Sequence, residues 1–257
     1  MLKLASWNVN GIRACANNGF FDWLKRANFD VVLLQEVRAL EEQLPKEMVN
    51  LKRYEKVWFP ATSKKGYSGV GILSKLPIEE SLFGMETEEF DVEGRVLACV
   101  LKDVVVVSAY FPNSQDKGKR IDYKVGFCRA IHQYVNQLRK QYKRPVVLSG
   151  DYNIAHHEID LARPDTNHGS PGFLPAEREW MDEFVDSGWV DTFRSLHPKA
   201  KERYSWWSAR TRARERNVGW RIDYNCIHQD DMKFVKAADI KEDVMGSDHC
   251  PVSLTLV

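Results

Sequence analysis

The sequence predicts an α/β protein, and three observations carry that prediction. Short apolar runs rich in Val, Leu and Ile recur along the chain, bounded by Pro, Gly and Asn, as buried strands are. Stretches with apolar residues at helical spacing separate them, the longest running from Ile121 to Tyr142. Three of the strands then stop at a hydrogen-bonding side chain: Asn8, Glu36 and Asp151. One such ending is ordinary turn chemistry, since Asp-x-Asn is also how an Asx turn closes a strand. Three suggest a common rim, because open α/β sheets keep their ligand sites at the carboxyl ends of strands.

Composition narrows the function classes. The chain has 257 residues, enough for one large α/β domain or two small ones. Its net charge is +1, from 37 basic and 36 acidic residues, so any polyanion site must be a local patch. Five cysteines, Cys15, Cys99, Cys128, Cys226 and Cys250, are scattered without a C-x-x-C pair and read as reduced thiols of a cytoplasmic protein. The N-terminus turns polar by Ser6, too early for a signal-peptide core, and no stretch approaches the length of a membrane span.

In order, Leu2 to Trp7 is a strand running into Asn8-Val-Asn10-Gly11. Gly19 to Asn28 has a helical pattern, Asp30 to Val37 is a strand, and Glu41 to Leu51 is expected to be helical. Gly66 to Leu73 reads as a glycine-dotted strand that matches no nucleotide-binding fingerprint. Arg95 to Leu101 and Val104 to Phe111 form a hairpin about Lys102-Asp103, leaving Tyr110 and Asn113 at its exit. On the helix from Ile121 to Tyr142, a core face is expected through Ile121, Val125, Cys128, Ile131, Val135 and Leu138, with nothing on it to suggest a site. Val146 to Leu148 is a buried strand ending in Gly150-Asp151-Tyr152-Asn153. A loop from Ile154 to Phe173 follows, then a helix from Pro175 to Phe184. Adjacent His156 and His157 read as a solvated or core pair, since no flanking Cys or HExxH pattern supports metal ligation. From Tyr204 to Tyr224 the chain interleaves Trp206, Trp207 and Trp220 with Arg210, Arg212, Arg214, Arg216 and Arg221. Guanidinium groups bind phosphates and indoles pack on bases or sugars, although a surface charge run beside core tryptophans has the same composition. The alternating strand Val252 to Leu256 closes the chain.

Seven segments together resemble one family. Ser6-Trp-Asn-Val-Asn-Gly11, Leu34-Gln-Glu36, Gly66-Tyr-Ser-Gly-Val-Gly71, Tyr110-Phe-Pro-Asn113, Gly150-Asp-Tyr-Asn153, Asn217-Val-Gly-Trp-Arg-Ile-Asp-Tyr224 and Gly246-Ser-Asp-His-Cys-Pro251 look like the motif set of the exonuclease III family. Its members are apurinic/apyrimidinic endonucleases of base-excision repair, within the DNase I-like metal-dependent phosphodiesterases. The match spans residues 2 to 256 in order. It implies a four-layer α/β sandwich, two packed sheets flanked by helices, formed by residues 1–257 as a single domain.

The resemblance also implies the chemistry. Mg2+, with Mn2+ able to substitute, would be held by Glu36 with Asn8, Asp151, Asn153, Asp248 and His249 as candidate partners. Tyr110, Asp151, Asn153, Asp223 and His249 are the expected catalytic residues. Asp151 would orient or deprotonate water, and His249, oriented by Asp223, would contact the scissile phosphate. Arg13, Tyr67, Asn113, Asn167, Trp206, Arg210, Trp220 and Ile222, with the Arg212 to Arg216 run, are the expected DNA contacts. The substrate would be double-stranded DNA with an abasic site, cut on its 5' side by a monomer with accompanying 3'–5' exonuclease or 3'-end cleaning activity. Asn10 stands where some members carry Asp, which lowers the negative charge near the metal. A DNase I-like phosphatase acting on inositol phosphates or lipids is the alternative. It would keep Glu36, Asp151, Asn153, Asp223 and His249 but would not need the Arg/Trp loop.

Overall fold

The computed structural model describes residues 1–257. Its strands are β1 (Leu2–Asn8), β2 (Val31–Gln35), β3 (Glu55–Phe59), β4 (Val70–Ser74), β5 (Glu80–Phe83), β6 (Val96–Val100), β7 (Val105–Tyr110), β8 (Val146–Asp151), β9 (Trp189–Asp191), β10 (Trp206–Trp207), β11 (Gly219–Trp220), β12 (Asp223–His228), β13 (Val235–Ile240) and β14 (Val252–Leu256). One six-stranded sheet has the order β13-β14-β1-β2-β4-β3 and the other β5-β6-β7-β8-β12-β9, while β10 and β11 form a separate ribbon. Only β1/β2 and β7/β8 pair in parallel within the large sheets. These parallel pairs bring Asn8, Glu36, Tyr110 and Asp151 to strand ends.

Alternation along the strands builds the layers. Val31 and Leu33 join Val106, Val147 and Ile227 in the core between the sheets. Val32 and Leu34 point the other way, onto Ile12, Phe20, Trp23 and Leu24 of the helices Ile12–Asn17 and Phe20–Ala27. Val146 and Leu148 likewise face outward onto Phe127, Ile131 and Val135 of the helix Ile121–Tyr142 and Trp180 and Phe184 of the helix Pro175–Asp186. The result is the four-layer sandwich of helices, sheet, sheet and helices. With both faces covered, these strands read as unbroken apolar runs. Each Val or Leu removed from water contributes about 1.5–3 kcal/mol.

Three expectations change locally. Glu41 to Leu51 is not one helix: a single turn at Glu41–Gln43 and a short helix at Lys46–Val49 are parted by Pro45, before which Leu44 is extended. The strand expected over Gly66 to Leu73 begins only at Val70, because Gly66, Ser68 and Gly69 have φ of 68°, 49° and 83°. The long helix runs from Ile121 to Tyr142 as expected, but Ile121 and Val125 are only half-buried while Lys124 is fully enclosed. All five cysteines are free and buried, and no helix is long and apolar enough to cross a membrane.

The approach of β8 to β7 depends on Gly150. It has φ of 149°, and a Cβ there would lie 1.8 Å from the Ala109 carbonyl oxygen. That oxygen is backbone and cannot swing aside. Gly150→Ala is therefore expected to cost about 3 kcal/mol or more, read as a lowered midpoint in thermal or urea unfolding; an unchanged midpoint would show that the two strands can part freely.

Candidate active site

The site is built where the ends of the two sheets meet. Asn8 closes β1 and is fully buried, and its side-chain NH2 donates to Glu36 Oε1 at 2.9 Å and to Asp151 Oδ2 at 2.9 Å. One amide thus joins carboxylates from opposite sheets. The Asn8 oxygen accepts from the backbone N–H of Asn10 at 3.0 Å. Asn8 is thus the spacer that holds the two carboxylates. Glu36 also contacts the Arg38 guanidinium. Asp151 Oδ1 accepts from the N–H of Asn153 at 2.8 Å, so the Asx turn that the sequence allowed is formed as well.

His249 lies across this pair from the loop before β14. Its Nδ1 is 2.8 Å from Asp223 Oδ2 at the start of β12, and its Nε2 is 3.8 Å from Asp151 Oδ2. The ring is aimed from behind, with the Trp7 indole N–H donating to the His249 carbonyl at 3.1 Å. Asp223 is fixed by its own backbone N–H, which donates to the Ser205 hydroxyl at 3.1 Å. Burial disfavours charge on His249, but Asp223 and Asp151 outweigh it and hold the imidazole protonated well above its usual range. Burial and then the Asp223 carboxylate push Asp151 up, against the lowering effect of His249. Burial, followed by the neighbouring Glu36, keeps the Tyr110 phenol protonated.

Glu36, Asp151 and His249 each offer one atom within 4.8 Å of the others, a group that could hold a metal ion. The chemistry of the set fits a hard cation. Three buried carboxylates, Glu36, Asp151 and Asp223, face one imidazolium, and Asp223 Oδ1 has no hydrogen-bond partner. Asp248 is engaged elsewhere: Asn10 Nδ2 reaches its Oδ1 at 2.9 Å and the Trp206 indole its Oδ2 at 3.1 Å. Asp248 thereby ties the Asn10 loop to the Trp206 ribbon at the edge of the cleft. Asn153 turns its NH2 to the Phe111 carbonyl at 3.0 Å and to Asp151 at 3.3 Å, and its oxygen accepts from Asn113 at 3.2 Å.

Above these groups opens a cleft of about 590 Å3. Tyr110, Asn113, Asn153, Asn167 and His249 line its polar part, and Trp206, Trp220 and Ile222 its apolar wall. Trp206 and Trp220 pair across the β10/β11 ribbon with ring centroids 6.4 Å apart at 80°. They pack with Ala155, Leu161, Phe173 and Ile222 in a cluster separate from the main cores.

The expected DNA contacts divide. Asn113, Asn167, Trp206, Trp220 and Ile222 reach the cleft, whereas Arg13, Tyr67 and Arg210 do not line it. Arg13 and Arg210 are exposed. The Tyr67 hydroxyl accepts from Arg95 at 2.7 Å, and Arg95 packs over the Tyr110 ring at 4.7 Å, so Tyr67 braces Tyr110 from outside. Arg214 acts as a strut, donating to the backbone carbonyls of Glu242, Val244 and Ser247 and stacking on Trp207. Arg221 is buried on Asp160 and Asp191. Sequence reasoning missed Arg38, Arg163 and Thr166, which do line the cleft and carried no motif signal. His156 is buried against Asp182 and His157 stacks on it from the exposed side.

Comparison with known proteins agrees with this geometry. Residues 5–249 match the Endonuclease/Exonuclease/phosphatase family. An exodeoxyribonuclease of Bacillus subtilis is 41% identical over 99% of both chains. The DNA repair nuclease APEX1 of Danio rerio is 37% identical over 99% of this chain and 82% of its own. Among solved structures, an AP endonuclease from Leishmania major superimposes with a TM-score of 0.89 at 27% identity, covering 99% of this chain and 87% of that one. Sandwich, rim residues and full-length similarity agree: the chain belongs to the Endonuclease/Exonuclease/phosphatase family and is one of its phosphodiester-hydrolysing nucleases.

Proposed function

We propose that the cleft hydrolyses the backbone of double-stranded DNA on the 5' side of an abasic site, leaving a 3'-hydroxyl and a 5'-deoxyribose phosphate, with 3'–5' exonuclease or 3'-end cleaning activity at the same centre. The observation that carries this reading is the Asn8-bridged pair Glu36 and Asp151 beneath a cleft walled by Trp206, Trp220 and Ile222. Glu36 and Asp151 would hold Mg2+, which when bound would neutralise charge on the phosphoryl oxygens and the leaving 3'-oxygen. The protein's own groups do the rest. Asp151, raised by burial and Asp223, orients or deprotonates the attacking water. His249, held protonated by Asp223 through Nδ1, donates from Nε2 to the phosphate and is better placed for that than for ligating the cation. Tyr110, Asn113 and Asn167 donate further hydrogen bonds. Incubating the protein with a duplex carrying one abasic analogue, with Mg2+ or with EDTA, tests the whole reading. A single cut 5' to the lesion only with Mg2+ is expected, and release of phosphate from inositol phosphates instead would favour a phosphatase.

The carboxylates make separable predictions. Glu36→Gln removes a ligand charge but no cation that grips phosphate, so the half-saturating Mg2+ concentration is expected to rise at least tenfold with duplex affinity nearly unchanged. A Mg2+ titration of cleavage beside a binding isotherm decides it, and an unaltered half-saturation would remove Glu36 from the metal site.

Asp223 and His249 touch at 2.8 Å and should act as one unit. Asp223→Asn and His249→Asn are each expected to lower single-turnover rates by roughly a hundredfold or more, and the double variant by little more than either alone. Losses that multiply would break the pairing.

Selectivity must come from the wall, because every DNA phosphate presents the same charge to a cation. A flipped abasic sugar, extruded most easily where pairing is already lost, fits an apolar pocket that a full nucleotide does not. Trp206 is only half-buried. Trp206→Ala is therefore expected to cost less than the about 3–5 kcal/mol of a core Trp while the preference for abasic over intact duplex shrinks. Cleavage of both substrates beside a melting curve separates the cases, and retained selectivity in a destabilised variant would sink the pocket assignment.

A further inference from the structure

We propose that Lys124, Glu177 and Ser114 form a buried clamp that sets the register of the two loops presenting Asn113 and Asn153 to the cleft. The proposal rests on the part given above to those asparagines. Lys124 comes from the helix Ile121–Tyr142 and Glu177 from the first turn of the helix Pro175–Asp186; both side chains are 0% exposed and pair at 2.7 Å. A fully buried ion pair is a poor source of stability, since replacing both partners with apolar groups is often neutral or better. What this pair holds is specific. Lys124 Nζ donates to the Asn153 carbonyl at 2.5 Å. Glu177 Oε1 accepts from the Ser114 hydroxyl, and Ser114 directly follows Asn113. Glu177 Oε2 accepts from the backbone N–H of Leu174 at 2.9 Å, which fixes the carboxylate to its own helix.

The two loops are therefore tied to one ion pair from below, while their side chains meet above it at 3.2 Å between Asn113 Nδ2 and Asn153 Oδ1. Asn153 has φ of 51°, a left-handed conformation that places its NH2 on Asp151 and on the Phe111 carbonyl. Pinning the Asn153 carbonyl holds that conformation. None of the three clamp residues lines the cleft, so they are positioning residues. Their loss should misplace groups that act on the phosphate without removing any group that grips DNA.

Replacing the pair as a unit leaves the net charge unchanged and avoids an orphaned buried ion. Lys124→Met with Glu177→Met removes every hydrogen bond of the clamp; Lys124→Gln with Glu177→Gln keeps a donor toward the Asn153 carbonyl and an acceptor toward Ser114. On an abasic-analogue duplex, the Met pair is expected to lose roughly ten- to a hundredfold in kcat, the range for misplacing a reacting group by about an ångström, with KM within about twofold of the parent. The Gln pair should recover most of that loss at an equal melting temperature. Wild-type kcat in the Met pair, or equal losses in both pairs, would overturn the clamp. Should either pair fail to fold, Ser114→Ala deletes one hydroxyl, and kcat is then expected to fall several-fold with KM unchanged; wild-type kcat overturns the proposal there too. Asn153→Ala is measured alongside. If it leaves kcat intact, the assignment of the asparagines fails, whereas a severe loss there with active clamp variants condemns the clamp alone.

Discussion

The Asn8 amide is the contact on which the site depends. It stands on β1 in one sheet, reaches Asp151 on β8 of the other, and holds Glu36 with its second N–H. Burying a carboxylate costs several kcal/mol after relaxation, and two close together repel each other as well. A hydrogen bond from a neutral donor to a charged acceptor returns only about 1.5–3 kcal/mol. Asn8, the imidazolium of His249 and the Arg38 guanidinium on Glu36 therefore compensate the acids in part, and the centre, with Asp223 Oδ1 unpartnered, keeps an excess of negative charge. That excess is what a divalent cation is suited to neutralise. A side chain that was itself acidic in place of Asn8 would deepen the deficit, and an apolar one would leave both carboxylates without their shared donor.

Much of the fold was legible because the central strands are covered on both faces. β2, β6, β7 and β8 read as largely apolar runs, and the polar endings of β1, β2, β7 and β8 marked the rim. The strands that escaped notice were chiefly β3, β5, β9 and β13, the four edges of the two sheets. An edge strand has one neighbour and carries charge that discourages further pairing, as Glu55, Lys56, Glu80 and Lys236 do, so its composition resembles a loop. β12 was hidden for another reason: Asp223 and Asn225 are buried polar residues, Asn225 accepting from the Ser149 hydroxyl at 2.7 Å, and buried polarity looks like exposure in a sequence.

The site divides along the same line. Residues at strand ends and in tight motifs, such as Glu36, Asp151, Asp223 and His249, were placed by the chain itself, and the structure brings them together. Arginine was harder to read because its composition does not say whether the guanidinium meets solvent or protein. Arg214 and Arg221 lie in the same short segment as Arg210, yet one ties three carbonyls and another closes two buried carboxylates. The basic stretch is thus partly internal scaffolding. Its scaffolding arginines hold the ribbon that carries Trp206 and Trp220, so they shape the pocket without entering it.

Backbone strain follows the chemistry. Asn10, Glu36 and Asn153 all line the cleft with φ of 44°, 50° and 51°. Asparagine tolerates the left-handed region, but glutamate gains nothing there from its side chain and costs about 1–3 kcal/mol. The flanks of Glu36 hold it in place: its carbonyl accepts from the Gly11 N–H at 2.8 Å, and the Val37 N–H donates to the Gly69 carbonyl at 2.9 Å. Those two bonds belong to the glycine-bearing turns after β1 and before β4, both part of the family's motif set. The glycines therefore do not contact substrate in order to matter. Their φ of 98° at Gly11 and 83° at Gly69, which residues with a side chain rarely adopt, turn the chain so that these two bonds flank Glu36 and keep its carboxylate toward Asn8, and through Asn8 toward the opposite sheet.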